Sequence, residues 1–257
     1  MFVVPGGFIV LSVNITNGAS ISDQVDFSIA GQSGWGCYWN GTSTSCDQPQ
    51  SIDMAPGYLA WPKFDIHVPA VANGLPSAFV KHPFTMTATS GIDAVEVNYS
   101  FTLEVDEWHA ASIDSGATNL TMNPGLKERT PIKVRNLGNA PSSLAARVVA
   151  LGVDGEPIQG HEPDLSYQLD GWLVGIFNVY LLNGQGGQGL DPDGVATIDL
   201  EIQPPSQTSG TMRIGVIIWS WGNPYDSVMV EVNATIGWVR GGSLSVEDGC
   251  GEDILPD

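Results

Sequence analysis

Four groups of residues in this sequence have types and spacings suited to chemistry. Residues 186–194, GGQGLDPDG, set Asp191 and Asp193 among glycines, close to the spacing of a calcium-binding turn in which carboxylates and backbone carbonyls supply hard oxygen ligands. Cys37 and Cys46 bracket CYWNGTSTSC, where Asn40-Gly41 is a tight-turn signal that folds the two sulfurs toward each other. Tyr38, Trp39 and Trp61 are aromatic rings near one another in sequence, and exposed rings stack on sugars. His161-Glu162 opens like a zinc-peptidase helix, but Pro163 follows and Leu165 stands where the second histidine belongs, so that reading fails.

Nothing else in the chain points to catalysis. GQSGWG has its glycines out of register for a nucleophile elbow, and His67, His82, His109 and His161 are scattered over strand, loop and linker segments. The expectation is a protein that is not an enzyme.

Charge narrows the partners. The chain of 257 residues carries 28 Asp and Glu against 9 Lys and Arg, a formal net charge of −19. Because charged residues are only 14% of the chain, the imbalance reflects scarce Lys and Arg rather than abundant carboxylates. A field of that sign repels phosphate backbones and anionic lipid, which disfavours nucleic acid and membrane surfaces as partners. No apolar run approaches the roughly 18 residues a membrane helix needs, so no direct membrane insertion is expected of this segment. The opening MFVVPGGFIVLSV lacks a basic n-region and a small-residue cleavage site and runs on into a strand pattern. It reads as part of the fold, with any export signal removed or the chain an excerpt.

The elements that must position these residues emerge from self-similarity. MAPGYLAWPKFDIHVP, residues 54–69, aligns without a gap on LDPDGVATIDLEIQPP, residues 190–205. PGGFIVLSVNITN, residues 5–17, matches PGLKERTPIKVRN, residues 124–136, at equal length. Ser33-Gly34-Trp35 and Asp170-Gly171-Trp172 precede the first pair of segments at nearly equal distances. Each copy closes on an alternating strand, Val95, Val97, Tyr99, Phe101, Leu103 and Val105 in one and Val228, Val230, Val232, Ala234 and Ile236 in the other. Short strands between Gly- and Pro-rich turns, with no helical periodicity, predict an all-β chain of two tandem immunoglobulin-like antiparallel β-sandwiches. The copies span 1–107 and 113–238, joined by DEWHAASIDSG, and 239–257 reads as an acidic linker or the start of a truncated third module.

The repeat settles the calcium question at this level. Asp191-Pro192-Asp193-Gly194 stands where the first copy has Ala55-Pro56-Gly57-Tyr58, which has no carboxylates, so the framework asks for a turn there and not a metal. The recurring Gly-Trp suits a core tryptophan between two sheets, at Trp35 and Trp172.

The order of motifs also resembles a known family. A Pro-Gly, an alternating strand ending in Asn, a Gly-Trp, a Pro-Gly-type turn, a strand ending in Pro and a final valine-rich strand are similar to the NPCBM-associated Ig-like domain, and CARDB domains look similar. That domain occurs beside catalytic domains in alpha-galactosidases and in tandem on archaeal and bacterial surface proteins. The resemblance implies a non-catalytic extracellular β-sandwich and supplies no ligand residues.

Two further features agree with an extracellular setting. A disulfide closing the Cys37 to Cys46 loop would contribute roughly 2.5–3 kcal/mol on a chain-entropy basis, and Cys250 is left over in the acidic tail. Five N-x-S/T sequons, at Asn14, Asn40, Asn98, Asn119 and Asn233, are candidate glycan sites. The leading reading is a spacer or adhesion scaffold of a larger secreted or surface protein, whose partner is a protein or a glycan at a cell surface. A second reading is a carbohydrate-binding module with Tyr38, Trp39 and Trp61 as its platform. A third is a calcium-stiffened array, with carboxylates at Asp191 and Asp193 or near the linker at Asp106, Glu107 and Asp114.

Overall fold

Period-two alternation places apolar side chains on one face of each strand, and two such faces closing on each other make a core. The computed structural model describes residues 1–39, 48, 50–206 and 209–237. In the first module the strands are β1 (Phe2–Val3), β2 (Phe8–Ser12), β3 (Ile15–Thr16), β4 (Asp23–Ala30), β5 (Gly36–Trp39), β6 (Gln50–Met54), β7 (Leu59–Ala60), β8 (Lys63–His67), β9 (Lys81–Ser90) and β10 (Glu96–Val105). The second module holds β11 (Ala111–Ser115), β12 (Asn119–Met122), β13 (Glu128–Asn136), β14 (Leu144–Leu151), β15 (Ser166–Leu169), β16 (Trp172–Phe177), β17 (Val195–Gln203), β18 (Thr211–Ser220) and β19 (Asn223–Ile236), with two 3₁₀ turns at Val179–Asn183 and Gln185–Gly187.

Among the described residues no sheet mixes the two sets. The first module stacks a sheet of order β1-β10-β9-β4-β6 against β2-β8-β5 and β3-β7, and the second stacks β12-β19-β18-β14 against β11-β13-β17-β16-β15. Two separate hydrophobic clusters fill the sandwiches, one around Phe27, Trp39, Phe64 and Leu103, the other around Met122, Ile132, Trp172 and Ile198. Among the described residues the ladders are antiparallel except β1 with β10 and β12 with β19, which run parallel. This is the tandem Ig-like architecture.

The repeat extends to individual hydrogen bonds. Gly6 and Gly125 both take positive φ, and their N–H groups donate to the carbonyls of Pro69 and Pro205 respectively. Asn17 donates from Nδ2 to the Ile21 and Met54 carbonyls and accepts the Ala19 N–H. Asn136 does the same with Ala140, Leu190 and Gly138. Each Asn is a buried side chain that replaces the backbone partners lost where the chain leaves one sheet.

The modules also differ for physical reasons. Pro62 stands where the second module has Ile198; it has no N–H to give a ladder, and the sheet that is continuous as β13 and β17 is split around it. Half of the segment read as a linker is strand β11, which pairs with the end of β13. Its composition, Ala-Ser-Ile-Asp-Ser, is too polar to stand out as a strand.

Candidate functional site

The most elaborate polar arrangement lies between the modules, at Asn139. Its side chain accepts the Trp108 N–H at 2.7 Å and donates to the Asp106 and Pro76 carbonyls, each at 3.0 Å. Its backbone N–H donates to Trp108 O at 3.1 Å, and its carbonyl accepts from Ala78 N at 3.1 Å. Thus one residue of the second module, 2% exposed, binds the connecting segment and a loop of the first module at once. That loop is the longer AVANGLPSAFVKHP connection. Gly74 in it sits so close to Pro192 that a Cβ there would lie 2.6 Å from the Pro192 Cβ. Leu137 N donates to Ala110 O, and His109 packs over Gly222, completing the joint.

The sequence carried little warning of this. Asn139 has no repeat partner, since Ser20 occupies its place in the first module and is exposed. The one signal is length: the connection from β8 to β9 spans residues 68–80 where its counterpart from β17 to β18 spans 204–210, and its role depends on contacts across more than sixty residues.

The aromatic platform is corrected. Tyr38 and Trp39 are neighbours on β5, and successive side chains of a strand point to opposite faces. Trp39 therefore lies in the core at 3% exposure, edge-on to Phe27 and Phe64. Trp61 is 58% exposed at the corner beside Pro62. Tyr38 instead meets His67, at 4.9 Å between centroids, and His67 stacks on exposed Phe8 at 5.2 Å. The outward aromatic strip of this sheet is thus Phe8, His67 and Tyr38.

The two Gly-Trp tryptophans diverge. Trp172 is buried in the second core. Trp35 is half-buried and tilts against His82 and Phe84, at 4.7 and 5.5 Å. It lines an open cleft of about 390 Å³ beside Leu75 and Pro76. Burial holds the His82 imidazole below its usual basicity.

Four of the five carboxylates considered for calcium have other partners, whereas Asp191 is exposed and takes part in the turn through its backbone carbonyl, which accepts the Gly194 N–H. Arg135 donates to Asp193 Oδ1 at 2.8 Å and to Asp114 Oδ2 at 2.7 Å. Asp193 has φ 63° where Gly57 has φ 70°, and their N–H groups donate to the carbonyls of Asn136 and Asn17, so the turn is structural in both copies. Glu107 lies 2.8 Å from His109 Nε2, and Asp106 accepts the Glu107 N–H. Among the described residues no group of three or more His, Cys, Asp or Glu is arranged to hold a metal ion.

Cys37 is a disulfide-bonded residue on β5, half-buried against the first core. Cys46, Cys250 and Asn40 lie outside the described residues. Of the remaining sequons, Asn14, Asn98 and Asn119 are exposed and Asn233 is half-buried. Asn98 accepts a hydrogen bond from Thr87 at 2.7 Å.

No protein-family model matches the chain, and no curated protein is significantly similar to it. Solved structures return distant likenesses. A Porphyromonas gingivalis W83 protein of unknown function is 12% identical with TM-score 0.29, over 92% of this chain and 94% of that one. Mouse clustered PcdhgC3 EC1-3 is 11% identical with TM-score 0.39, over 93% and 64%. A chimeric titin Z1Z2-Z1Z2 tandem is 11% identical with TM-score 0.29, over 93% and 95%. At these scores none carries an argument, and the Ig-like assignment rests on the chain's own strand pairing.

Proposed function

We propose that this chain is a non-catalytic extracellular scaffold, two Ig-like modules held as one stiff unit within a secreted or surface protein. The observation that carries the reading is Asn139, whose side chain and backbone are both spent on joining the modules. Tandem domains default to relative motion unless their interface is large and well packed, so a buried polar clamp marks a joint whose angle matters. A Cys37–Cys46 disulfide and glycans at the exposed sequons belong to the same extracellular reading.

Small-angle scattering tests it. The chain scatters as one extended particle with a narrow distribution of maximum dimension. Asn139→Ala strands the Trp108 N–H and the carbonyls of Pro76 and Asp106, at about 1–3 kcal/mol for each buried group left unpaired, and broadens that distribution. Equal scattering from the two proteins would remove the scaffold reading.

The Phe8, His67 and Tyr38 strip supports a second reading, glycan recognition on the outer face of the β2-β8-β5 sheet. On a glycan array Tyr38→Ala abolishes any binding seated there, whereas binding that survives the substitution lies elsewhere.

A further inference from the structure

The glycines of GGQGLDPDG hold a place that the first module fills with a strand. By the repeat Met54 is equivalent to Leu190, and Asp23 to Ser142, each of the latter two lying six residues beyond its turn asparagine. The pair Asp23 with Met54, in β4 and β6, recurs as the isolated bridge Ser142 with Leu190. From there β6 runs antiparallel along the edge of β4, pairing Ile52 with Val25 and Gln50 with Phe27. Its counterpart does not follow. Gly184, Gly186, Gly187 and Gly189 take positive φ, between 66° and 89°, and the Gly189 N–H closes a loop on the Asn183 carbonyl at 2.7 Å. Left-handed backbone turns the chain off the edge where β6 extends along it.

The edge of β14 is therefore open between two bridges. Ser142 exchanges both backbone hydrogen bonds with Leu190, and Val148 exchanges both with Asp164. Backbone groups alternate along a strand, so the N–H and carbonyl groups of Leu144 and Ala146 point to that same side. Among the described residues none of these four groups has a backbone partner there. A cleft of about 170 Å³ adjoins them, lined also by Val179, Asn183, Trp219 and Trp221. The two indoles meet at 6.3 Å and 64°. Trp219 stands opposite Ala145, whose methyl group leaves space on the outer face between the indole and the edge. In the first module Asp26 and Ser51 share that place and hydrogen-bond each other, and Thr89 and Gly91 stand where the tryptophans are. The framework does not require the tryptophan pair.

We infer that this slot takes an extended peptide segment of a partner protein, three residues of which add antiparallel to Leu144–Ala146. Its middle side chain is apolar and Lys or Arg stands on either flank. Main-chain hydrogen bonds supply affinity and the seat beside Ala145 and Trp219 supplies selectivity, as in strand addition to an exposed edge. The antiparallel sense is that of β6 on β4. Charge sets the flanks. At one end the Asp164 side chain, 66% exposed, and exposed Glu162 face a single cation, Arg147; at the other end Asp191 is exposed. The chain as a whole, at −19, attracts cationic segments. A second copy does not fit, because the chain's own residues Leu190 and Asp164 occupy the edge at both ends and a full strand edge cannot lie between them. Occupancy of the slot does not depend on the stiffness of the joint.

Titration of the full chain with acetyl-Lys-Thr-Val-Thr-Lys-amide, followed by amide and indole NMR signals, tests the inference. The Leu144 and Ala146 amides and the Trp219 and Trp221 indoles shift saturably. N-methylation of both threonines removes the donors to the Leu144 and Ala146 carbonyls and weakens binding roughly tenfold or more. N-methylation of the valine, whose N–H points away from the edge, leaves binding as it was. No shift of those four signals in the millimolar range, shifts centred on another surface, or equal binding of the two methylated peptides would each overturn it. So would equal binding of a peptide with Glu in place of both Lys. Broadening of the same signals with protein concentration alone would give the edge to a second copy instead.

Discussion

Trp39 shows how much one residue's parity decides. Tyr38, Trp39 and Trp61 share a chemistry, and proximity in sequence suggested one surface, but the β5 pleat sends Tyr38 outward and Trp39 between the sheets. Trp39→Ala therefore removes a core ring in contact with Phe27 and Phe64 and lowers stability by about 3–5 kcal/mol in denaturant unfolding. Trp61→Ala, at an exposed corner, changes it by no more than about 0.5 kcal/mol. Equal losses from the two would mean that the parity of β5 is misassigned. Asn17 and Asn136 teach the converse: both were visible as the last residue of an alternating segment, and each caps the same turn through the same three groups.

Among the elements, the β13–β17 ladder carries the clearest electrostatics. Arg129 and Glu201 are directly paired in register, Glu201 is nearly buried, and its carboxylate lies 2.7 Å from both Lys127 and Arg129. Lys127 first, then Arg129, holds the Glu201 carboxyl below the usual carboxylate range, and Arg135 does the same for Asp114. A carboxyl depressed by folding contributes stability that is complete above its ordinary titration range and is lost as pH falls through the depressed value. Calorimetry from neutral to acid pH should show the melting temperature falling below the ordinary carboxylate range. Glu201→Gln lowers it at neutral pH, and the two proteins converge in acid; parallel curves at all pH values would contradict the assignment. At this scale most of the fold was legible, because alternation and Pro-Gly turns mark β10, β13, β17 and β19 locally. The strand β11 and the break at Pro62 were not, since one depends on an edge offered by β13 and the other on a missing N–H across a ladder.

The whole molecule is asymmetric in ways that composition averages out. Only Lys63 and Lys81 of the 9 basic residues precede residue 107, so the first module sets 2 cations among 10 carboxylates and the second, residues 113–238, sets 6 among 13; the net charges, −8 and −7, are nearly equal, but the second module has more cations with which to pair its carboxylates. The joint likewise belongs to this pair of modules and not to the repeat, because Asn139 and the long loop have no counterparts at the outer poles. For that reason the site was the least legible part: its residues are polar, singular and far apart in sequence. The parallel pairing of β1 with β10 and of β12 with β19 gives the chain a mechanical character. Tension along the polypeptide pulls the paired strands past each other, so all hydrogen bonds of a ladder bear load together instead of parting one by one. Two residue pairs hold the first module in this way and four hold the second, which makes the first module the element that yields and the second the one that endures when the chain is stretched.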